Sequence, residues 1–385
     1  MIPKFHQLTI DHLQRFGDFA VALGFEVPEE LAGSYRFLPG QYLTLRADID
    51  GDEVRRPYSI CTTPHSGRLG VGIKHVAGGR FSGHALTGLA VGDRIDVMTP
   101  QGRFVHAGGD SGAPEDMLLL AAGSGITPIL SIAETALATG HPASRVTLIY
   151  GNRNTASIMF RDRVEDLKDR YLDRCRVLHV LSREPRDTAL LNGRVDAGKI
   201  TALVESGLIT PARLSAAYLC GPDSMMTDCR AALVAAGMDG ERIATEHFTP
   251  AVPPALSSAL SPALSPALSP AGSSAAPPVR SKPAPAGDGA EGECRVELRA
   301  DGITRHFAMD PSRQTILAAG QAAGVELPYS CEAGMCCTCR CRLVTGEVDM
   351  DANYSLEPWE MEAGFILSCQ ARPKTDSVTV DFDAV

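Results

Sequence analysis

The sequence predicts a multidomain protein: an antiparallel β-barrel, an α/β domain with a parallel sheet, and a small α+β domain, in that order. Three observations predict it. Residues 1–107 carry short alternating runs punctuated by Gly, Pro and Asp, the pattern of closely spaced strands in a small barrel. Residues 108–249 alternate apolar strands with helical stretches, the pattern of a parallel sheet. Residues 291–385 begin a new set of short strands around a cysteine-rich loop. Between the second and third domains, 250–290 repeats Ala-Leu-Ser-Pro from Ala259 to Pro270 and continues in Ala, Gly, Ser and Pro. Repeated Pro breaks helix and sheet, and this composition buries no core, so the stretch is a tether. A chain of 385 residues suits two or three domains.

In the barrel, Gly40-Gln-Tyr-Leu-Thr-Leu-Arg, Gly70-Val-Gly-Ile-Lys-His-Val and Asp93-Arg-Ile-Asp-Val-Met read as strands. Two strings stand out, Arg55-Arg56-Pro57-Tyr58-Ser59-Ile60 and Gly78-Gly79-Arg80-Phe81-Ser82. A flavin needs an aromatic wall, a donor near N5, and cations or N–H groups for its phosphates. Tyr58, Ser59 and Arg56 supply these, and a turn over Gly79, Arg80, Phe81 and Ser82 can cradle phosphate with backbone N–H groups. Alone, Tyr58 reads as a core aromatic. The next segment favours the flavin.

Met117-Leu-Leu-Leu-Ala-Ala has the apolar continuity of a buried parallel strand. Gly123-Ser124-Gly125-Ile126-Thr127-Pro128 follows, then a helix from Ile129. Strand, Gly-rich turn and helix N-terminus make an anion site, because free N–H groups and the helix dipole face it. The string is G-x-G-x-x-P, a departure from the dinucleotide fingerprint, and Pro128 suits a first helical turn. Later strands end in Gly151-Asn152-Arg153, in Ser182-Arg183-Glu184 and in Gly221-Pro222 after Cys220. In a parallel sheet all four turns lie at the ligand-binding edge, so they line one nucleotide site. Ser182 and Arg183 fall where an adenosine ribose would lie. An Arg there welcomes a 2′-phosphate, which predicts NADPH over NADH; Glu184 is the contrary sign.

The cysteine-rich loop is Cys331-Glu-Ala-Gly-Met-Cys336-Cys337-Thr-Cys339, with Cys369 farther on. C-x4-C-x2-C with a distant fourth Cys is the spacing of a plant-type [2Fe-2S] cluster. Cys331, Cys336, Cys339 and Cys369 are therefore the expected iron ligands. Gly334 suits a loop that must fold over sulfide. A zinc Cys₄ site is the weaker reading, since such sites show two C-x2–4-C pairs and Cys369 has no neighbouring partner. Cys337 is expected to point away from the loop and Cys341 to lie on an outgoing strand, both as small buried residues.

Composition limits the rest. Net charge is −10, and residues 291–385 hold 8 basic against 16 acidic side chains while residues 1–249 hold 26 against 29. An acidic cluster-bearing domain steers toward a basic partner and away from nucleic acid. Eleven cysteines, four claimed by the expected cluster and most others single, fit a reducing compartment and thus the cytoplasm. The start of the chain shows no apolar signal segment and no run approaches the length of a membrane span, so no membrane is expected.

Arg56-Pro-Tyr58-Ser59, Gly123 to Pro128, Tyr150-Gly-Asn-Arg153, Cys220-Gly-Pro222 and the four cysteines, in this order, resemble the ferredoxin–NADP reductase-like superfamily with a C-terminal plant-type ferredoxin domain. Tyr35-Arg-Phe-Leu-Pro-Gly-Gln41, Asn353-Tyr-Ser-Leu-Glu-Pro358 and Ile366-Leu-Ser-Cys-Gln-Ala371 are similar, within it, to the reductase subunits of phenylacetyl-CoA 1,2-epoxidases in phenylacetate degradation. The Ala-Leu-Ser-Pro tether departs from that family, and so does Cys337, where the family has a small residue. The resemblance implies FAD in the barrel, NADPH in the α/β domain, a [2Fe-2S] cluster in a β-grasp domain, and delivery to the diiron oxygenase subunits of a multicomponent epoxidase. It also implies Ser59 at flavin N5, Cys220 near the nicotinamide, and Glu246 and Phe248 closing over the flavin. A hydride carries two electrons and the cluster takes one, so a flavin must stand between them. Two rivals are the reductase of another aromatic-ring oxygenase, with FMN as the alternative flavin, and a redox sensor, which needs no nucleotide site.

Overall fold

The computed structural model describes residues 3–108, 112–248, 279–280 and 293–384. It forms two compact units, Phe5–Phe248 and Met1–Lys4 with Thr249–Val385. The expected tether, 250–290, lies outside the described residues except for 279 and 280.

The first unit opens with β1 (Phe5–Phe16), β2 (Ala20–Glu26), β3 (Tyr42–Ile49), β4 (Asp52–Ser59), β5 (Leu69–Lys74), α1 (Arg80–Thr87) and β6 (Arg94–Met98). The strands form one antiparallel sheet in the order β4-β3-β6-β1-β2-β5. It curls until its edges meet: Ile60 bridges Val71, and the Cys61 N–H donates to the Gly70 carbonyl at 2.9 Å. Inward positions such as Leu8, Ile10, Leu23, Leu43, Leu45, Val71 and Ile73 fill the interior.

An α/β layer follows: β7 (Asp116–Ala122), α2 (Ile126–Thr139), β8 (Arg145–Asn152), α3 (Arg161–Arg170), β9 (Cys175–Leu181), α4 (Ala197–Glu205), β10 (Ala216–Gly221), α5 (Asp223–Ala235) and β11 (Ile243–His247). The sheet is parallel throughout, in the order β11-β10-β7-β8-β9. Strand β7 explains its own composition. Met117, Leu119 and Ala121 pack toward α2 and α3, while Leu118 and Leu120 pack toward α4 and α5. Both faces are covered, so every position from Met117 to Ala122 is apolar. The strand order reverses between β7 and β10, which makes the crevice there the ligand site of such a sheet.

Barrel and α/β layer share a core. Ala20, Ala22, Cys61 and Phe104 join the cluster built on α2. Gly72 makes the approach possible, because a Cβ there would lie 2.6 Å from Thr127 Cγ2 and 2.9 Å from the Phe160 ring. Ser131 donates to the Thr62 carbonyl at 2.6 Å. Arg163 bridges from the α/β side to the Cys61 carbonyl at 2.7 Å while holding Glu134 with two nitrogens.

The second unit contains β12 (Val279–Arg280), β13 (Cys294–Ala300), β14 (Ile303–Met309), α6 (Ile316–Ala322), β15 (Arg340–Thr345), β16 (Glu347–Met350), α7 (Pro358–Glu362), β17 (Phe365–Leu367), β18 (Ala371–Pro373) and β19 (Ser377–Asp381). Its main sheet runs β14-β13-β19-β15-β17, with β13 and β19 parallel and the other pairs antiparallel. A second sheet, β12-β16-β18, is antiparallel. Helix α6 is capped by Thr315, whose hydroxyl accepts from the Ala318 N–H at 3.4 Å, and it buries Ile316, Leu317 and Ala319. Ile316 and Leu317 share that core with Cys339, Cys341 and Cys369.

Candidate functional site

The barrel contributes the end of β4. Ser59 is buried there, and its hydroxyl donates to Glu246 Oε2 at 3.0 Å. Glu246 lies on β11 directly beside Cys220 of β10. One hydroxyl, one carboxyl and one thiol from three distant segments thus meet at the switch point. Burial pushes the Glu246 carboxyl up to about 8, against the pull of the Ser59 hydrogen bond. Burial, and then the nearness of Glu246, push the Cys220 thiol far above its ordinary value. The thiol is therefore buried and protonated. Phe248 packs on the core shared by barrel and α/β layer.

Tyr58 is half-buried, its ring 5.5 Å from that of Phe81. Burial raises its phenol despite the neighbouring Arg56. Gly79 starts α1 with no side-chain cap, which leaves the first N–H groups of the helix for another acceptor. The side chains of the turn are used internally. Arg80 holds Asp52 at 3.0 Å and the Ile49 carbonyl, Phe81 sits in the barrel core, and Ser82 Oγ accepts from the Val76 N–H at 3.1 Å. What the turn can offer a phosphate is backbone.

The nucleotide turns interlock. Gly123 has φ 57, a left-handed conformation natural to glycine. Gly125 has no room for a side chain: a Cβ would stand 2.0 Å from the Cys220 carbonyl oxygen. Thr127 closes the turn by donating to the Ser124 carbonyl at 3.0 Å, and Pro128 is buried in the first turn of α2. Tyr150 donates to the Gly123 carbonyl at 3.1 Å. The N–H groups of Ser182 and Arg183 donate to the carbonyls of Asn152 and Arg153 at 3.0 and 2.8 Å. Gly221 packs against Met225 and Ala122. The four turns form one continuous wall.

Two features of that wall were invisible in the sequence. Lys74 ends β5, and its Nζ would lie 2.9 Å from a Cβ on Gly123. Burial and then the positive charge of Arg153 hold its ammonium below the ordinary value. Two cations thus lie near one another at this edge, and among the described residues the buried Asn152 Nδ2 has no hydrogen-bond partner. Lys74 sat within an alternating strand and gave no separate signal. Glu184, the contrary sign for NADPH, turns away: it accepts from the Thr155 hydroxyl and N–H at 2.6 and 2.7 Å. Those bonds hold its carboxyl below the usual range. Arg183 is exposed. A cavity of about 780 Å³ between barrel and α3, lined by Cys61, Thr62, Glu134 and Arg163, shares no residue with this wall.

The cysteine loop is built from contiguous chain. Glu332, Gly334 and Cys337 take φ of 51, 74 and 53, and a Cβ on Gly334 would lie 2.8 Å from the Ala352 carbonyl. The sulfurs form two pairs, Cys331 with Cys336 and Cys339 with Cys369. The Cys336 thiol, together with the N–H groups of Ala333, Met335 and Cys336, holds Cys331 down to about 6. Gln370 Nε2 lies 3.6 Å from Cys369 Sγ. Two pairs, with N–H donors aimed at sulfur, fit two irons better than one. Among the described residues no three His, Cys, Asp or Glu side chains converge as a single zinc ion requires. Cys337 points away and donates to the Ser355 carbonyl at 3.5 Å; it is half-buried, while Cys341 is fully buried. None of the eleven cysteines forms a disulfide. No helix among the described residues is long and apolar enough to cross a membrane.

Comparison with known proteins divides the chain in the same way. Residues 18–106 match an oxidoreductase FAD-binding domain, 119–231 an oxidoreductase NAD-binding domain, and 298–374 a 2Fe-2S iron-sulfur cluster binding domain. The chain is 40% identical over 383 residues to one of the subunits of 1,2-phenylacetyl-CoA epoxidase from Escherichia coli (strain K12), covering 100% of this chain and 99% of the other. It is 36% identical over 367 residues to the ferredoxin reductase component of 3-ketosteroid-9-alpha-monooxygenase of Mycobacterium tuberculosis, covering 95% and 90%. Among solved structures, phthalate dioxygenase reductase matches with TM-score 0.56 at 22% identity over 98% of both chains, a likeness of fold. An Amycolatopsis cytochrome P450 reductase matches 65% of this chain and 72% of its own at 31% identity and TM-score 0.53.

Proposed function

Since the chain belongs to the family of FAD-, NAD- and [2Fe-2S]-binding oxygenase reductases that includes this Escherichia coli epoxidase component, we propose that it oxidises NADPH in the cytoplasm and delivers the electrons singly to the diiron subunits of a phenylacetyl-CoA epoxidase. The full-length match to the epoxidase component, across all three domains in one order, carries this reading. FAD accepts a hydride pair and releases single electrons, and a [2Fe-2S] cluster passes them on one at a time.

The chain's own residues prepare for that chemistry. Ser59 presents a hydroxyl at the crevice, polarised by Glu246, and can hold a proton at flavin N5. Glu246, near neutral at pH 7, can supply and take back that proton without placing a fixed charge beside the ring. Tyr58 walls the ring, Arg56 and the N–H groups from Gly79 onward take the flavin phosphates, and Phe248 shields the open face. Lys74 and Arg153 take the nicotinamide nucleotide's pyrophosphate at the Gly123–Gly125 turn. Ser182 and Arg183 take the 2′-phosphate. Gly125 lets Cys220 and the nicotinamide ring come close. Cys331, Cys336, Cys339 and Cys369 hold the cluster.

The test combines the purified protein with oxygenase subunits, phenylacetyl-CoA and either NADPH or NADH, and measures epoxide formed per nucleotide oxidised. Tight coupling with NADPH is expected. Turnover only with a different oxygenase, such as a 3-ketosteroid monooxygenase, would move the protein to another pathway.

A further inference from the structure

Helix α7 carries the single Trp of the chain, and it faces outward. Trp359 is 61% exposed and Tyr354 is 46% exposed; no other Phe, Tyr or Trp among the described residues is exposed. Large rings left in water mark contact sites more often than stability. Both lie on the segment that rests on the ligand loop. The Tyr354 N–H and the Ser355 hydroxyl donate to the Gly334 carbonyl at 3.0 and 3.1 Å, and Cys337 donates to Ser355.

The segment is also held rigidly. Glu360, the neighbour of Trp359, is fully buried. It pairs at 2.5 Å with Arg340, the residue after Cys339, and accepts from the Glu357 N–H at 3.0 Å. The Arg340 guanidinium lies 4.4 Å over the Phe365 ring. A buried ion pair is a weak source of net stability. Here it locks the helix that presents Trp359 to the strand that leaves the ligand loop. Exposed Glu332, Glu357 and Glu362 lie along the same loop and helix.

We propose that Tyr354 and Trp359, with the carboxylates of Glu332, Glu357 and Glu362, form the docking surface for the oxygenase that accepts the electrons. This deepens the function proposed above and rests on it. The partner is a protein that offers an apolar hollow with a basic rim. Charge separates it from the alternative occupant, the protein's own Phe5–Phe248 unit. Residues 1–249 are nearly balanced at 26 basic and 29 acidic side chains, and a tethered neighbour comes at high effective concentration without an affinity anchor. A diffusing partner needs both steering and an anchor.

The test uses full-length holoprotein carrying Trp359→Ala, Trp359→Phe, or Glu357→Lys with Glu362→Lys. Trp359→Ala should raise the KM for the oxygenase component about tenfold or more, and Trp359→Phe should recover part of it. Iron content, ferricyanide reduction and the stopped-flow rate of cluster reduction by NADPH should stay as in the wild type. An unchanged KM overturns the proposal. Equal slowing of internal cluster reduction overturns it in favour of the flavin unit, and loss of a concentration-dependent dimer in sedimentation overturns it in favour of a second copy. If the wild type fails to drive the epoxidase at all, the substrate assignment falls. The surface is then tested on cytochrome c, a basic one-electron acceptor protein, where the double Lys variant should raise KM and an unchanged value overturns the proposal.

Discussion

The two redox centres are assembled in opposite ways. In the C-terminal unit three of four sulfurs come from nine consecutive residues, Cys331 to Cys339, and the loop shapes itself through left-handed positions at Glu332, Gly334 and Cys337. In the first unit Ser59, Gly125, Cys220 and Glu246 come from four remote segments and meet because the barrel and the parallel sheet are locked together. The local centre depends on a few covalent neighbours. The distributed one depends on packing far from the chemistry. Substitutions should therefore act all-or-none in one and by degrees in the other.

The largest effect is expected from Cys369→Ser. Iron content and the visible absorbance of the cluster should collapse, and oxygenase turnover with them, while NADPH–ferricyanide activity persists. A full cluster in that variant would mean that Cys337 or Cys341 replaces the ligand. Gly125→Ala comes next. Its Cβ would collide with the Cys220 carbonyl at 2.0 Å, and displacing reacting groups by an ångström costs about a hundredfold. Ferricyanide activity should fall by about that factor with the cluster intact; a near-normal rate would mean that the crevice is more compliant than its packing indicates.

Smaller effects sharpen the map of the nucleotide wall. Lys74→Met should weaken NADPH and NADH alike by roughly 1.5–3 kcal/mol, the range for a hydrogen bond to a charged group. Arg183→Ala should cost a similar amount for NADPH alone. Equal losses for both nucleotides in Arg183→Ala would remove it from the 2′-phosphate. A further effect concerns pH. The Glu246 carboxyl is raised from 4.5 to about 8 in the fold. A carboxyl raised by folding stabilises the fold when protonated, so its contribution is complete below about pH 4.5 and is lost as pH rises toward 8. The melting temperature of flavin-free protein should decline across that window, and Glu246→Gln should flatten the slope. An unchanged slope would place the carboxyl in water rather than in the crevice.

Legibility follows the same division. The C-x4-C-x2-C spacing stood out because the loop is local, and the strand-end turns stood out because Gly, Pro and Arg mark them. Strand β7 revealed its burial on both faces through an unbroken apolar run. Lys74 hides in the alternation of β5, and the place of Glu246 depends on a register between β10 and β11 that spacing cannot express, so family resemblance alone pointed to it. Spacing also could not tell that Glu184 folds back on Thr155, or that Glu360 is a buried charge, because its partner Arg340 lies twenty residues earlier on another element.

The two residues of β12 have a practical consequence. Val279 and Arg280 pair with Val348 and Glu347, so chain from the expected tether covers the outer edge of the β12-β16-β18 sheet. A cluster-bearing fragment beginning at residue 291 would leave the Glu347 and Val348 backbone bare on that edge, and bare edges recruit strands from other copies. Such a fragment should self-associate as its concentration rises, whereas one beginning upstream of Val279 should stay monomeric. Where the chain is cut would then decide whether the isolated domain behaves as an electron carrier or as a precipitate.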